Sequence, residues 1–304
     1  MPLYNINNKI LEPIKKEDFP LEKDLQRLTE NNLEELFNLK FVSTEFQVGD
    51  LRIDTLAYNE EFNSFVIIEY KNNKNYSLID QGFSYLSLLL DNKAEFVLEY
   101  NQRFKTNKSK KDIDFSQSKI MFISPAYTKY QLKSSNFKDP SFELWKVSKF
   151  SNNTVLYDKI ITDGKHSIKE IQGKNNIIDK VEKEIIVYDE DYHLKNKNDE
   201  IKELYYFFKE SVQNEFDDIE ILPFKTYISF KYNGDNIVSI IPLIKNIKIC
   251  FNMKKGTLND YLKKTEDVSN KGHNGTGDYI FYVENINDVK YSFELFKEVY
   301  DYKS

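Results

Sequence analysis

The chain has 304 residues, a net charge of −6 and 40% hydrophobic residues, with 23 Phe and 21 Tyr but only 9 Gly and 7 Pro. That balance fits two globular domains. It excludes collagen-like and Gly/Pro-rich disordered chains, and no apolar run approaches the ~18–20 residues of a membrane-spanning helix.

In chain order, Asp18-Phe19-Pro20 predicts the start of a helix that carries Leu21, Leu25 and Leu28 at helical spacing. Asn32 and Glu35 have the spacing of a capping box for a short second helix ending at Phe37. Residues 40–48, 51–58 and 65–71 read as three strands, turned at Gly49-Asp50 and again at NEEFNS. A long helix fits 77–91. Residues 94–100, 119–127 and 142–150 read as further strands, and a basic loop lies between the first two. The chain turns polar and acidic near 172–190, which sets a first domain at 1–178 and a second at 185–304. The second reads as a helix at 198–214, strands at 225–232, 236–242, 245–252 and 279–284, and a closing helix at 287–300. The expected fold class is α/β, a mixed sheet flanked by helices, followed by a small C-terminal α+β domain.

One cysteine, Cys250, cannot form an internal disulfide, and three scattered histidines (His166, His193 and His273) argue against zinc-ribbon and HExxH sites. A metal would therefore be held by oxygens. The N-terminus lacks the apolar core of a signal peptide, so the expected location is cytoplasmic. Charge is uneven along the chain. Residues 1–180 balance at 26 basic and 26 acidic, whereas residues 101–150 carry 11 basic against 4 acidic. Such a segment can meet a phosphate backbone even on an acidic protein, or it is a solvated loop.

The informative constellation is Asp54, then fourteen residues, then Glu69-Tyr70-Lys71. Alternation puts Glu69 and Lys71 on one face of a strand. A hairpin loop centred on Glu61-Phe62 sets 58 against 65 and therefore Asp54 against Glu69, about 4.5–5.5 Å apart at Cβ. Two carboxylates that close repel unless a cation lies between them, which suits Mg²⁺ or Mn²⁺. A lysine beside them suits phosphodiester hydrolysis. The plainer reading is a solvated hairpin Asp with an edge-strand Glu and Lys.

RIDTLAYNEEFNSFVIIEYK, followed by IDQGFSYLSLLL, resembles the PD-(D/E)XK nuclease superfamily, in the flavour of archaeal NucS-type endonucleases. The resemblance covers residues 18–100 well and continues loosely to about 150. It implies a restriction-endonuclease-like sheet with Asp54, Glu69 and the Tyr70 backbone carbonyl as metal ligands and Lys71 as the catalytic lysine. Gln81 on the following helix and Glu22 on the opening helix would complete the site. Ile53 stands where the motif's name has Pro. Each supporting residue has a plainer alternative. Glu22 is a solvated first-turn acid, Gln81 an ordinary polar helix residue, Tyr85 a packing residue, and Arg52 either a phosphate contact or an ion-pair partner. Arg103, Lys105, Lys108, Lys110 and Lys111 are candidate backbone contacts, as are Arg52 and Tyr85.

The C-terminal domain resembles a module of unknown function that recurs in such predicted nucleases, through KTYISFKYNGDNIVSI and DVSNKGHNGTGDYIFYV. Gly272, Gly275 and Gly277, with His273 and Asp278, read first as a structural turn, and only weakly as an anion-binding loop. The expected function is a Mg²⁺- or Mn²⁺-dependent DNA endonuclease in restriction, phage defence or repair, dimeric if it cuts both strands. The alternatives are a non-catalytic nucleic-acid- or protein-binding module on the same fold, and a C-terminal sensor that gates the nuclease.

Overall fold

The structure is a computed structural model that describes residues 2–49, 51–71, 78–128, 131–132, 142–160, 176–186, 188–271 and 275–304. The chain forms two compact units, Met1–Val187 and Tyr188–Ser304.

The first unit opens with a two-stranded hairpin, β1 (Leu3–Asn7) and β2 (Ile10–Ile14), and a short strand β3 (Lys16–Glu17). Helices α1 (Glu22–Glu30) and α2 (Leu33–Phe37) follow. The strands β4 (Lys40–Val48), β5 (Leu51–Asn59) and β6 (Ser64–Tyr70) form the expected meander. Helices α3 (Leu78–Asp91) and α4 (Lys93–Phe104) lead to β7 (Lys119–Ser124), β8 (Phe142–Phe150), β9 (Val155–Lys159) and α5 (Asn176–Glu184). The sheet has seven strands in the order β3-β8-β7-β6-β5-β4, with β9 also paired to β8. β6, β7 and β8 are mutually parallel and the other pairs antiparallel. This is the mixed α/β sheet expected.

Central β6 explains the layering. All seven of its residues are buried, as a strand covered on both faces requires. Phe65 and Ile67 pack with α3 and α4 residues such as Leu86 and Phe96. Val66, Ile68 and Tyr70 pack with Leu25 and Leu33 of α1 and α2. Glu69 continues the first face and so points towards α3.

Four local expectations differ in the structure. Residues 94–100 are helical, within α4. AEFVLEY holds a single β-branched residue, and Phe96, Val97 and Tyr100 enter the core at helical rather than alternating spacing. The strand from 119 stops at Ser124, short of 127. The opening helix starts at Glu22 with Leu21 as its N-cap, so Pro20 precedes the helix. Asn32 does cap α2 by position, but its side chain donates back to the Leu28 carbonyl at 2.7 Å and forms no capping box.

A charged cluster ties β7, β8 and β9. Lys119 Nζ and Lys159 Nζ lie 2.8 and 3.2 Å from Glu143 Oε1, and Trp145 Nε1 donates to Oε2 at 3.0 Å. Burial opposes ionisation, but the two lysines and the indole donor outweigh it and hold the carboxyl down to about 2. A carboxyl depressed in the folded state lends stability above its unfolded value, 4.5. That stability is lost as pH falls from there towards 2. Glu143→Gln is therefore expected to cost about 2–3 kcal/mol near pH 7 and almost nothing near pH 2, measured as urea-unfolding midpoints at the two pH values.

The second unit holds α6 (Glu190–Leu194), α7 (Asp199–Glu215), β10 (Glu220–Pro223), β11 (Ile228–Tyr232), β12 (Asp235–Pro242), β13 (Ile247–Phe251), β14 (Glu266–Asp267), β15 (Tyr279–Val283) and α8 (Ile286–Lys303). Its antiparallel sheet runs β10-β11-β12-β13-β15-β14. Phe208 and Val212 of α7 and Leu295 and Phe296 of α8 share one core with Ile228, Phe230 and Ile249. This is the α+β module expected. Gly277 has φ +88°, and a Cβ there would stand 1.9 Å from the Phe251 carbonyl oxygen. The glycine is needed because the loop backbone lies directly on β13, which is the structural reading of the turn. Asp278 accepts the Lys255 N–H at 2.9 Å. Gly272 and His273 lie outside the described residues.

Among the described residues, no helix is long and apolar enough to cross a membrane.

Candidate active site

The β5–β6 register pairs Tyr58 with Phe65 and runs on to Thr55 with Ile68. Asp54 is next, and Glu69 is its counterpart. At this point the regular ladder gives way to a side-chain contact, in which Asp54 Oδ2 accepts the Tyr70 N–H at 3.0 Å. In a strand, the N–H and C=O of one residue face the same neighbour. The Tyr70 carbonyl therefore faces the Asp54 side, where a third oxygen ligand would be needed. The Tyr70 ring is buried on the opposite face, against α1.

Glu69 is 3% exposed. Lys71 Nζ and Gln81 Nε2 both donate to its Oε1, at 2.7 and 2.8 Å. Among the described residues, its buried Oε2 has no hydrogen-bond partner. Gly82 lets α3 deliver Gln81. A Cβ at Gly82 would lie 2.7 Å from the Phe142 ring, so the helix sits as close to the sheet as a bare Cα permits.

Burial pushes the Asp54 carboxyl up to about 7, and the Glu69 charge adds to the rise. The Tyr70 N–H and Lys71 oppose it, and Glu22 raises it a little further. Burial also raises Glu69, against Lys71, Tyr85 and Gln81, which favour its ionised form. The site thus holds two carboxylates that cost energy to ionise together, one with an unsatisfied buried oxygen. A divalent cation removes both penalties. Among the described residues no three His, Cys, Asp or Glu side chains converge as a metal cluster. Two carboxylates and a carbonyl suit Mg²⁺, which keeps several of its waters.

The other candidates separate into three groups. Glu22 opens α1, is exposed, and reaches Asp54 through its charge. Tyr85 is buried, receives a 3.3 Å contact from Gln81 Nε2 and donates to the Arg52 carbonyl at 3.1 Å, so it ties α3 to β5 inside the site. Arg52 forms an ion pair with Glu45 at 2.9 Å, one of its two sequence readings.

The basic segment does not converge on the carboxylates. Lys108 Nζ donates to Tyr58 Oη and Asn63 Oδ1 at 2.9 and 3.0 Å and lies over the Tyr58 and Tyr100 rings. Arg103 lies over the Phe41 ring. Lys105, Lys110 and Lys111 are exposed. Asn63 precedes β6 and Glu69 nearly ends it, so Lys108 is roughly 15–20 Å from Glu69 along the strand.

Sequence reasoning missed a polar layer behind β5. Gln26 Nε2 donates to the Asp54 carbonyl at 2.9 Å and to Thr44 Oγ1 and Glu30 Oε1, each at 3.1 Å. Thr55 Oγ1 donates to Glu30 Oε1 at 2.6 Å. The available signal was helical spacing, because Gln26 and Glu30 follow Glu22 at successive i+4 positions.

No known family profile matches the sequence. Over 300 residues the chain is 42% identical to an uncharacterized protein of Haemophilus influenzae, spanning 98% of this chain and 99% of that one. The chain belongs to that protein's family. Among solved structures, EndoMS in complex with double-stranded DNA matches 43% of this chain at 16% identity and TM-score 0.28. A Pyrococcus abyssi repair endonuclease matches 45% at 15% and 0.25, and Pyrococcus furiosus SfsA in complex with Ca²⁺ matches 46% at 14% and 0.24. The chain spans 47%, 54% and 62% of those three structures. Overlaps of this size assign neither fold nor activity, and the family's chemistry has to come from the residues themselves.

Proposed function

We propose that the chain is a metal-dependent endonuclease of the PD-(D/E)XK type that hydrolyses DNA phosphodiester bonds. The observation that carries this reading is the buried, unsatisfied Glu69 Oε2, with Asp54 on the adjoining strand and Lys71 Nζ 2.7 Å from the other Glu69 oxygen. Asp54, Glu69 and the Tyr70 carbonyl would hold Mg²⁺ or Mn²⁺. The cation supplies charge that polarises a phosphoryl oxygen and makes water more acidic.

The chain's own residues do the rest. Lys71 stabilises negative charge developing on the phosphoryl group, and Gln81 fixes the Glu69 carboxylate in the plane that leaves Oε2 free. Lys105, Lys110 and Lys111, exposed in the same basic segment as Lys108, would meet the DNA backbone away from the carboxylates. Cutting both strands calls for two copies of the site, hence a homodimer on DNA.

Purified protein is expected to nick supercoiled plasmid with Mg²⁺ or Mn²⁺ and not with chelator. Failure to cut plasmid, single-stranded and branched DNA, together with no Mn²⁺ binding by calorimetry, would replace the nuclease by a binding module on the same fold.

A further inference from the structure

The β4–β5 pairing contains a fault directly opposite the first carboxylate. The register joins Thr44 to Thr55 and Phe46 to Ile53, and passes over Glu45 and Asp54 between them. Glu45 has φ +52°, in the left-handed region that a non-glycine residue rarely adopts. The register is the same on both sides, its shift lying between Phe41 and Ser43, so the ladder loses one pair here without an inserted residue. The interruption falls at the residue that must hold its side chain most accurately.

A side chain from another element meets the fault. Gln26 on α1 is 5% exposed, and its amide donates to the Asp54 main-chain carbonyl at 2.9 Å. The same amide nitrogen lies 3.1 Å from Thr44 Oγ1, on the strand opposite. Gln26 thus spans both sides of the interrupted ladder. On its far side the Asp54 carboxylate is held by the Tyr70 N–H. The residue is fixed at both ends, by α1 through its carbonyl and by β6 through its carboxylate.

We propose that Gln26 is the positioning residue for Asp54. It replaces the broken ladder contact and so aims the carboxylate at Glu69. This assignment deepens the nuclease reading and rests on it for its consequence, although the anchoring itself does not. Without the amide, the part-buried Asp54 carbonyl loses a donor, and the strand relieves that loss by moving. The carboxylate then leaves the Tyr70 N–H, and the cation loses a ligand.

The test compares Gln26→Met, which keeps volume and removes the donor, with Thr29→Val. Thr29 is buried on the same helix and bonds the Leu25 carbonyl and Tyr157 Oη, away from Asp54. Amide hydrogen exchange at Tyr70, followed by NMR without metal, is expected to speed up by at least about tenfold in Gln26→Met relative to neighbouring β6 amides, and not in Thr29→Val. Mn²⁺ affinity is expected to fall about 10–100-fold in Gln26→Met alone. If Gln26→Met does not accumulate as folded protein, Gln26→Asn withdraws the amide by one methylene in a milder change and is expected to move both readouts in the same direction. Unchanged Tyr70 exchange in a folded Gln26 variant overturns the proposal, as does equal loss in Thr29→Val. A wild type that binds no Mn²⁺ overturns the nuclease reading instead, while the Tyr70 amide still decides the anchor.

Discussion

Asp54→Asn is expected to stabilise the metal-free protein by about 2–4 kcal/mol near pH 8 while lowering metal-dependent cleavage on the order of 10³-fold or more. The stability effect follows from burial and from Glu69, which push the Asp54 carboxyl from an ordinary 3.8 to about 7. Between those values the folded chain keeps a proton that the unfolded chain has released. Stability therefore falls as pH rises through that window, and the whole penalty stands above pH 7. Asparagine carries no charge at any pH and still offers an oxygen to the Tyr70 N–H. The gain should therefore be full above about pH 7, shrink below it and vanish below about pH 4. Urea-unfolding midpoints of wild type and variant across that range, in chelator, check the prediction. Equal stability at pH 8 would show that the two carboxylates are not in conflict, and the main reason to place a cation between them would go. Saturating Mn²⁺ should reverse the order of stability, because only the wild type gains binding energy from it.

The opposition of two carboxylates at the candidate site was partly readable from the sequence. The β5–β6 hairpin was legible because both strands are apolar, the loop is short, and one register puts Tyr58 opposite Phe65. Once that register is fixed, Asp54 and Glu69 must meet. Gln81 was legible because α3 follows β6 closely and crosses back over its face. The misreadings share a cause, since each depends on contacts between residues far apart in sequence. The run 94–100 is apolar enough for either element, and only packing of Phe96 and Tyr100 against β4 to β6 decides for helix. Lys108 looked like a free cation in a basic loop, yet its stem covers two tyrosine rings and its head satisfies Asn63. Helical spacing put Gln26 on one face with Glu22 and Glu30 but did not reveal its partners on β4 and β5, which lie 18 and 28 residues away. The left-handed Glu45 was equally hidden, since glutamate has no preference for that conformation.

Lys71→Met separates chemistry from binding. Lys71 is mostly buried, and its ammonium lies 2.7 Å from Glu69 Oε1. In the resting protein it helps to neutralise Glu69, so a purely structural ion pair would explain the geometry equally well. The two roles differ in what the variant loses. If Lys71 serves only as a counter-ion, a cation in the site takes over that duty, and the metal-loaded variant should cut almost normally. If Lys71 stabilises charge on the phosphoryl group, no carboxylate-bound cation replaces it, because that charge develops only in the transition state. The expected result is a fall on the order of 10²–10³-fold in kcat with KM for DNA changed only a few-fold, since uniform binding is untouched. Lys71→Arg should recover little. Guanidinium is a planar fork and does not reproduce the single ammonium contact that Lys71 makes with Glu69 Oε1. Full cleavage by either variant would remove Lys71 from the chemistry and leave Asp54 and Glu69 as a metal site alone.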